Sequence, residues 1–389
     1  SLAQVEAGRR GRPTWRAPHA PQRLRPPAAS ARRLAAAMVR RVAELQDVLR
    51  MHLPHVLALR ERLLLRASSA SFLRHSRLLV IAADTCMADA DLQAVLEERS
   101  GCEPTALVVH LPEDTALTDA GLAALRAWRG LKQMHLNLQS NRSITDAGLI
   151  ELAARIPDAL THLVVDLHSN TTLSDAGLIA LSRSIPANLQ CLELDFNGTT
   201  SLTDVGLSTL ARRIPATASR LRLDLGWNDG FTDRGLIELA RRIPLAATHL
   251  GLAFTWNSAF ADAGFCALAA HIPPRVEDLS LDFECNKTIT DASLLALAER
   301  LRPSLRVLTL NFECNGLFTD RGFVALVERI PAGITHLSLD FNDNTNLTDA
   351  GLRALARSIP PVLTALKLHF KRNSNFTDAA LQALAERVP

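Results

Sequence analysis

From about residue 80 onward the chain repeats itself. The motif T-D-A-G-L, with variants, places an aspartate at 119, 146, 175, 204, 233, 262, 291, 320, 349 and 378. The first interval is 27 residues and the other eight are 29, and a weaker copy, Ala88-Asp89-Ala90-Asp91-Leu92, stands 30 residues before the first. A period between roughly 20 and 50 residues marks a solenoid or an array, whose units cannot bury their apolar faces alone and lean on their neighbours. Dividing 389 residues by an ordinary domain size therefore says little about how this chain is organised.

Each unit has a strand and a helix written into it. Leu192-x-Leu194-x-Phe196 alternates apolar and polar residues at period two, which predicts a short, half-buried strand. Matching runs begin at Met134, Leu163, Leu221, Leu250, Leu279, Leu308, Leu337 and Leu366. Less regular ones lie at Leu107–Leu111 and Leu78–Ile81, making eleven. Three residues after each regular strand stands an asparagine (Asn141, Asn170, Asn228, Asn257, Asn286, Asn315, Asn344, Asn373), with Thr199 in that place once. An asparagine turned inward can bond backbone groups that a loop leaves unpaired, so the column reads as structural.

The helix follows. Its predicted N-caps are the Thr or Ser at 118, 145, 174, 203, 232, 290, 319, 348 and 377, with Ala261 the odd member. The repeated aspartate comes next, at the positive end of the helix dipole. Pairs such as Ile144/Leu149 and Phe318/Phe323 form hydrophobic staples, and Leu149, Leu152, Ala153 and Ile156 make one apolar stripe. Prolines such as Pro157, Pro186 and Pro215 end the helices. The glycine after the aspartate is replaced by Ser293 and Ala380 in two units, so that position needs a small side chain rather than a positive φ. The ten aspartates look like a catalytic column but read as helix-start residues.

A strand L-x-L-x-F-x-x-N followed by I/L/F-T-D-A-G-L and an amphipathic helix resembles the leucine-rich repeat family. The helix-bearing 29-residue unit is similar to the ribonuclease-inhibitor type. Ile289–Leu294 is closer to the cysteine-containing repeats of F-box proteins, from which the unit departs in its length and in placing Asn where that type has Cys. The resemblance covers residues 75–389. It implies an α/β horseshoe of about eleven strand–loop–helix repeats, with a parallel sheet on the concave face and helices on the convex face. It also implies a non-catalytic scaffold that binds a partner protein on the concave side.

The segment before the repeats differs in charge. Residues 1–80 hold 16 arginines, no lysine and four acids, a net of +12, while the remaining 309 residues carry a net of −9. Residues 1–33, rich in Arg, Pro and Ala, are expected to be a disordered basic arm. A transit peptide, a nucleic-acid-binding tail and a solvated leader all fit such an arm. Residues 34–74 are expected to form a helical cap on the solenoid. Leu53-Pro54, Leu63-Leu64-Leu65 and Ser71-Phe72-Leu73-Arg74 faintly resemble an F-box, which would imply a substrate receptor of an SCF-type ubiquitin ligase; a plain capping helix is the alternative. At the other end the chain stops at Val388-Pro389, so Leu381 and Leu384 are expected to face solvent, as in a fragment or beneath a partner.

Composition bears on function chiefly by exclusion. With 48% hydrophobic residues, wholesale disorder is ruled out, and no apolar run approaches the roughly 18 residues a membrane span needs. Six scattered cysteines favour a reducing compartment, the cytoplasm, with nucleus or organelle left open by the basic arm. Nucleic acid is expected only through that arm. No phosphate-binding loop, nucleophile elbow or zinc-protease motif is present, so no enzyme, cofactor or metal is expected; His52 and His55 lack a second ligand pair.

Candidate binding residues lie between the strand leucines. Asp166, Asp195, Asp224, Asp282 and Asp340 form a column interrupted by Asn137, Ala253, Asn311 and His369, with Glu193 and Glu284 beside it. Carboxylates on strands about 4.8 Å apart repel by roughly 0.9 kcal/mol per pair even in water. Such a strip would attract a basic segment of a partner protein; copied repeats that merely hydrate their face are the alternative. Trp227 and Trp256 share one position in successive units, either as a hot spot or packed beneath the loop. Cys285 and Cys314 occupy that position in the next two units, as a disulfide or as neighbouring thiols.

Overall fold

The computed structural model describes residues 78–82, 88–98, 103–111 and 116–387. The basic arm at 1–33, the expected cap at 34–74 with its F-box-like residues, and the His52/His55 pair lie outside the described residues. Eleven strand–helix units run in chain order. They begin with β1 (Leu78–Ala82), α1 (Asp89–Glu98), β2 (Ala106–His110), α2 (Asp119–Ala124), β3 (Gln133–Asn137) and α3 (Asp146–Ala153). Next come β4 (His162–Asp166), α4 (Asp175–Arg183), β5 (Cys191–Asp195), α5 (Asp204–Arg213), β6 (Arg220–Asp224) and α6 (Asp233–Ala240). Then follow β7 (His249–Ala253), α7 (Asp262–Ala270), β8 (Asp278–Asp282), α8 (Asp291–Ala298), β9 (Val307–Asn311) and α9 (Asp320–Val327). The last are β10 (His336–Asp340), α10 (Asp349–Ser358), β11 (Ala365–His369) and α11 (Asp378–Ala385).

The strands form one sheet in the order β1 to β11, each parallel to its sequence neighbours. Register advances by one repeat, so Leu192 lies beside Leu163 on one side and Leu221 on the other. This is the α/β leucine-rich solenoid that the resemblance implies. Hydrogen-bonded strands start one residue earlier than the leucine pattern suggests. Beyond the end of β5, the Phe196 N–H still donates to the Asp224 carbonyl at 2.8 Å, so the ladder continues.

The core lies between sheet and helices. In one unit Leu192, Leu194 and Phe196 from the strand, Leu202 from the loop, and Leu207 and Leu210 from the helix are all buried. Each buried leucine contributes roughly 1.5–3 kcal/mol. From Phe254 onward the strand-end position is always phenylalanine, and Phe254, Phe283, Phe312, Phe341 and Phe370 contact one another in series at 5.5–6.5 Å between ring centroids. In the last unit Leu381 is 47% exposed as expected, but Leu384 is buried. Leu384 joins the core, whereas Leu381 is half-exposed although its equivalent in the unit before, Leu352, is fully buried.

Asparagines of the column are buried, and each amide reaches back one unit. Asn170 Nδ2 donates to the Leu138 carbonyl at 2.9 Å, Asn286 to Phe254 at 2.8 Å and Asn344 to Phe312 at 2.9 Å. Thr199 instead donates within its own loop, to the Phe196 carbonyl at 2.7 Å.

Helix caps form as expected except at Thr377, whose side chain makes no cap bond, and the aspartate after the cap does more than meet the dipole. Asp204 Oδ1 accepts the backbone N–H of Thr232, the cap of the next unit, at 2.9 Å, and its Oδ2 accepts the Thr232 hydroxyl at 2.6 Å. The same pair of bonds joins Asp119 to Thr145, Asp262 to Thr290 and Asp320 to Thr348. At Ala261 the hydroxyl bond is missing and Asp233 accepts one backbone N–H at 2.8 Å. The small residue after the aspartate is explained by the same link. A Cβ at Gly235 would come within 2.2 Å of Asp204 Oδ1, whereas Ser293 turns the contact into a 2.6 Å bond to Asp262.

Positive φ falls elsewhere. Ser140, Ser169, Trp227, Trp256, Cys285, Cys314, Asp343 and Arg372, each just before a ladder asparagine, have φ between 56° and 62°. Gly198 holds that place once, at 74°. From Ser140 to Asp343 the conformation aims the backbone N–H at the next unit, as when Trp227 donates to the Thr255 carbonyl at 2.8 Å and Trp256 to Glu284 at 2.9 Å.

Candidate functional site

Asp166, Asp195, Asp224, Asp282 and Asp340 all end their strands on the face of the sheet opposite the core, partly exposed. Each also has a local task. Asp195 Oδ1 accepts the N–H of Asn197 at 3.0 Å, and Asp166 and Asp340 accept from His168 and Asn342 in the same way. This short loop is the Asx turn that carries the chain off the strand. Asn311 accepts from Glu313 at 3.1 Å and Asn137 from Gln139 at 3.3 Å, so the turn needs an acceptor and not a charge.

The charge has consequences of its own. Burial pushes the Asp195 carboxyl up to about 7, with Asp224 and Asp166 adding repulsion. Burial likewise pushes Asp282 up to about 6, with Glu284 and Asp224 contributing, and raises Asp166. Relief is partial. Asn197 Nδ2 donates to Asp224 at 3.0 Å, Asn311 Nδ2 to Asp282 at 3.1 Å, and His369 Nδ1 lies 2.8 Å from Asp340. Glu284 accepts the Trp256 indole N–H at 3.3 Å.

Glu193 departs from the expected exposed strip. It is 4% exposed, with the Arg220 guanidinium at 3.9 Å and the Cys191 thiol at 3.6 Å. Arg220, at the start of the next strand, leans back over it, so Glu193 is a buried ion-pair member rather than a contact residue. Sequence alternation puts it on the same face as Asp195 and carries no signal of this cover.

Trp227 and Trp256 are not packed beneath the loop. They are 51% and 40% exposed and stack on each other, with ring centroids 4.8 Å apart and planes 20° from parallel. Cys285 and Cys314, next in that column, are free thiols. Burial pushes Cys285 up to about 12, with Cys314 as its hydrogen-bond partner. Among the described residues one group has metal-ligand spacing: Glu313, Cys314 and Asp343, whose ligand atoms lie within 4.8 Å of one another. Arg372 already meets it, at 2.5 Å from Asp343 and 3.8 Å from Glu313. No helix among the described residues is long and apolar enough to cross a membrane.

Eleven stacked units with leucines inside, an asparagine column and a sheet face that no described helix covers define a leucine-rich solenoid. The family described as "Leucine Rich repeat" matches residues 134–153, 221–240 and 334–356, each span running from a strand region into the helix that follows. The described units are leucine-rich repeats, three of them matched by that family. Its solved neighbours include a yeast structure of the Rad7 and Elc1 complex, at 19% identity over 77% of each chain, with a TM-score of 0.48. Another is the leucine-rich repeat-containing protein LegL7 from Legionella pneumophila, at 19% identity over 67% of this chain and 92% of that one, with a TM-score of 0.38. No curated protein matches the sequence significantly. Solenoids of this kind commonly use the face lined by successive repeats to bind proteins.

Proposed function

We propose that the chain is a non-catalytic protein-interaction scaffold that binds a basic segment of a partner protein on the free face of its sheet. One observation carries this reading. The strand-end turn works with a neutral acceptor at Asn137 and Asn311, yet Asp166, Asp195, Asp224 and Asp282 keep carboxyls whose mutual repulsion nothing in the turn requires. A cationic segment would relieve that repulsion and would be drawn in by the field of the strip.

Asparagine is the natural probe, because it preserves the turn and removes the charge. A 12-residue peptide with four basic residues is expected to bind more weakly as salt rises. The combined variant D195N/D224N/D282N should lose about tenfold or more in affinity by fluorescence anisotropy. Binding that ignores both salt and the triple substitution would sink the reading. The alternative, a ubiquitin-ligase substrate receptor, rests on the F-box-like signature at Leu53-Pro54 and Ser71–Arg74. Its test is whether an adaptor protein co-purifies with the chain and is lost on deleting residues 45–75.

A further inference from the structure

The Trp227–Trp256 stack is exposed apolar surface that the fold does not need. Ser140, Ser169 and Gly198 hold the same position, with the same positive φ, in other units. The ring spacing of 4.8 Å matches the spacing of neighbouring strands, so the stack runs from one repeat to the next and its outer faces look along that direction. On one side the next residue in the column is Gly198, which has no side chain to cover the face of Trp227. At the feet of these two positions, three residues back on their strands, stand Asp195 and Asp224. Trp256 is held by its indole N–H on Glu284, which fixes the far side of the stack.

From this placement we infer that the open face of Trp227, above Gly198, is a seat for one arginine side chain of the bound partner, its guanidinium stacked on the indole and directed at Asp195 and Asp224. Arginine rather than lysine fits because its planar cation stacks on an aromatic face while its N–H groups bond carboxylates in the same plane. Burial and the neighbouring Asp224 hold the Asp195 carboxyl at about 7 even though His168 Nδ1 lies 4.0 Å from it and Arg222 is a favourable charge nearby, so a cation delivered there adds to an incomplete neutralisation. The inference rests on the proposed binding of a basic segment and adds to it the anchor and its side-chain identity.

The test compares two labelled 12-residue peptides of equal charge, one with four arginines and one with four lysines, spaced by glycine and serine. Wild-type protein is expected to bind the arginine peptide about two- to fivefold more tightly. W227S, a residue the column accepts at Ser140 and Ser169, should erase that preference, weakening the arginine peptide more than the lysine peptide. D195N/D224N should weaken both peptides. Equal affinities in the wild type, or a preference that survives W227S, would overturn the anchor while leaving the acidic strip intact. If neither peptide binds, anchor and strip fall together.

Discussion

Two columns of aspartate run through this chain, and Asp262 and Asp349 in one are pushed the opposite way from Asp195 and Asp282 in the other. At the helix starts, burial works to raise the Asp262 pKa, but hydrogen bonds from Ser293 and Thr290 outweigh it, and the carboxyl titrates below its ordinary value. Hydrogen bonds from Thr377 do the same for Asp349. These groups stabilise the fold above the ordinary carboxyl range, and the contribution is lost as pH falls through their lowered values. At the strand ends the sign reverses. Asp195 and Asp282 titrate higher in the folded chain than in the unfolded one. Between the two values the native state holds the extra proton, so stability falls as pH rises from about 4 to about 7. Asp195→Asn is therefore expected to raise stability at pH 7.5 by roughly 1 kcal/mol, about 2 °C in Tm, after allowing for solvent screening. At pH 4 the gain should vanish. Thermal unfolding at both pH values checks it, and a loss of stability at pH 7.5 would show that the carboxylate holds something the turn needs.

At the scale of one element, each helix is tied to the unit before it by its cap. The cap threonine serves two masters: its oxygen accepts the N–H two residues on, as Ala147 donates to Thr145 at 3.2 Å, and its hydroxyl donates to the preceding aspartate. Helix α7 lacks both because Ala261 stands at its cap. Restoring the residue its neighbours use, Ala261→Thr, is expected to add about 0.5–2 kcal/mol by closing the cap and completing the link from Asp233. A Tm that fails to rise would mean that the loop before α7 cannot seat the hydroxyl. The positive-φ column is the other device at this scale. Non-glycine residues there cost of order 1–3 kcal/mol each, offset by backbone bonds that carry the ladder past the strand ends.

For the molecule as a whole, stability comes from contact between adjacent units. Leu223, fully buried in β6 between Leu194 and Leu252, serves three units at once. Leu223→Ala is expected to cost about 2–5 kcal/mol. Leu381→Ala, at a half-exposed position in the last helix, should cost a few tenths of a kcal/mol. Chemical denaturation of both variants measures the gap, and equal losses would contradict the layered core. The same stacking that builds the core brings the carboxylates into line, so a surface property of the whole molecule grows out of a feature of one repeat.

Strand number, sheet order, the buried asparagines and the helix caps could all be read from the period, because each depends on a residue's own unit and on copies one period away. Glu193 and the tryptophans could not. Whether Glu193 lies open depends on Arg220 reaching back from the next strand, and the stacking of Trp227 on Trp256 depends on the turn that both share. The second task of the helix-start aspartate was hidden for the same reason: its partner lies 28 residues away, in the cap of the following unit. Periodicity states which side chains recur, and it determined the solenoid. Contacts across the gap between units decide which recurring groups are bonded, covered or left free, and only the tertiary structure brings those units together.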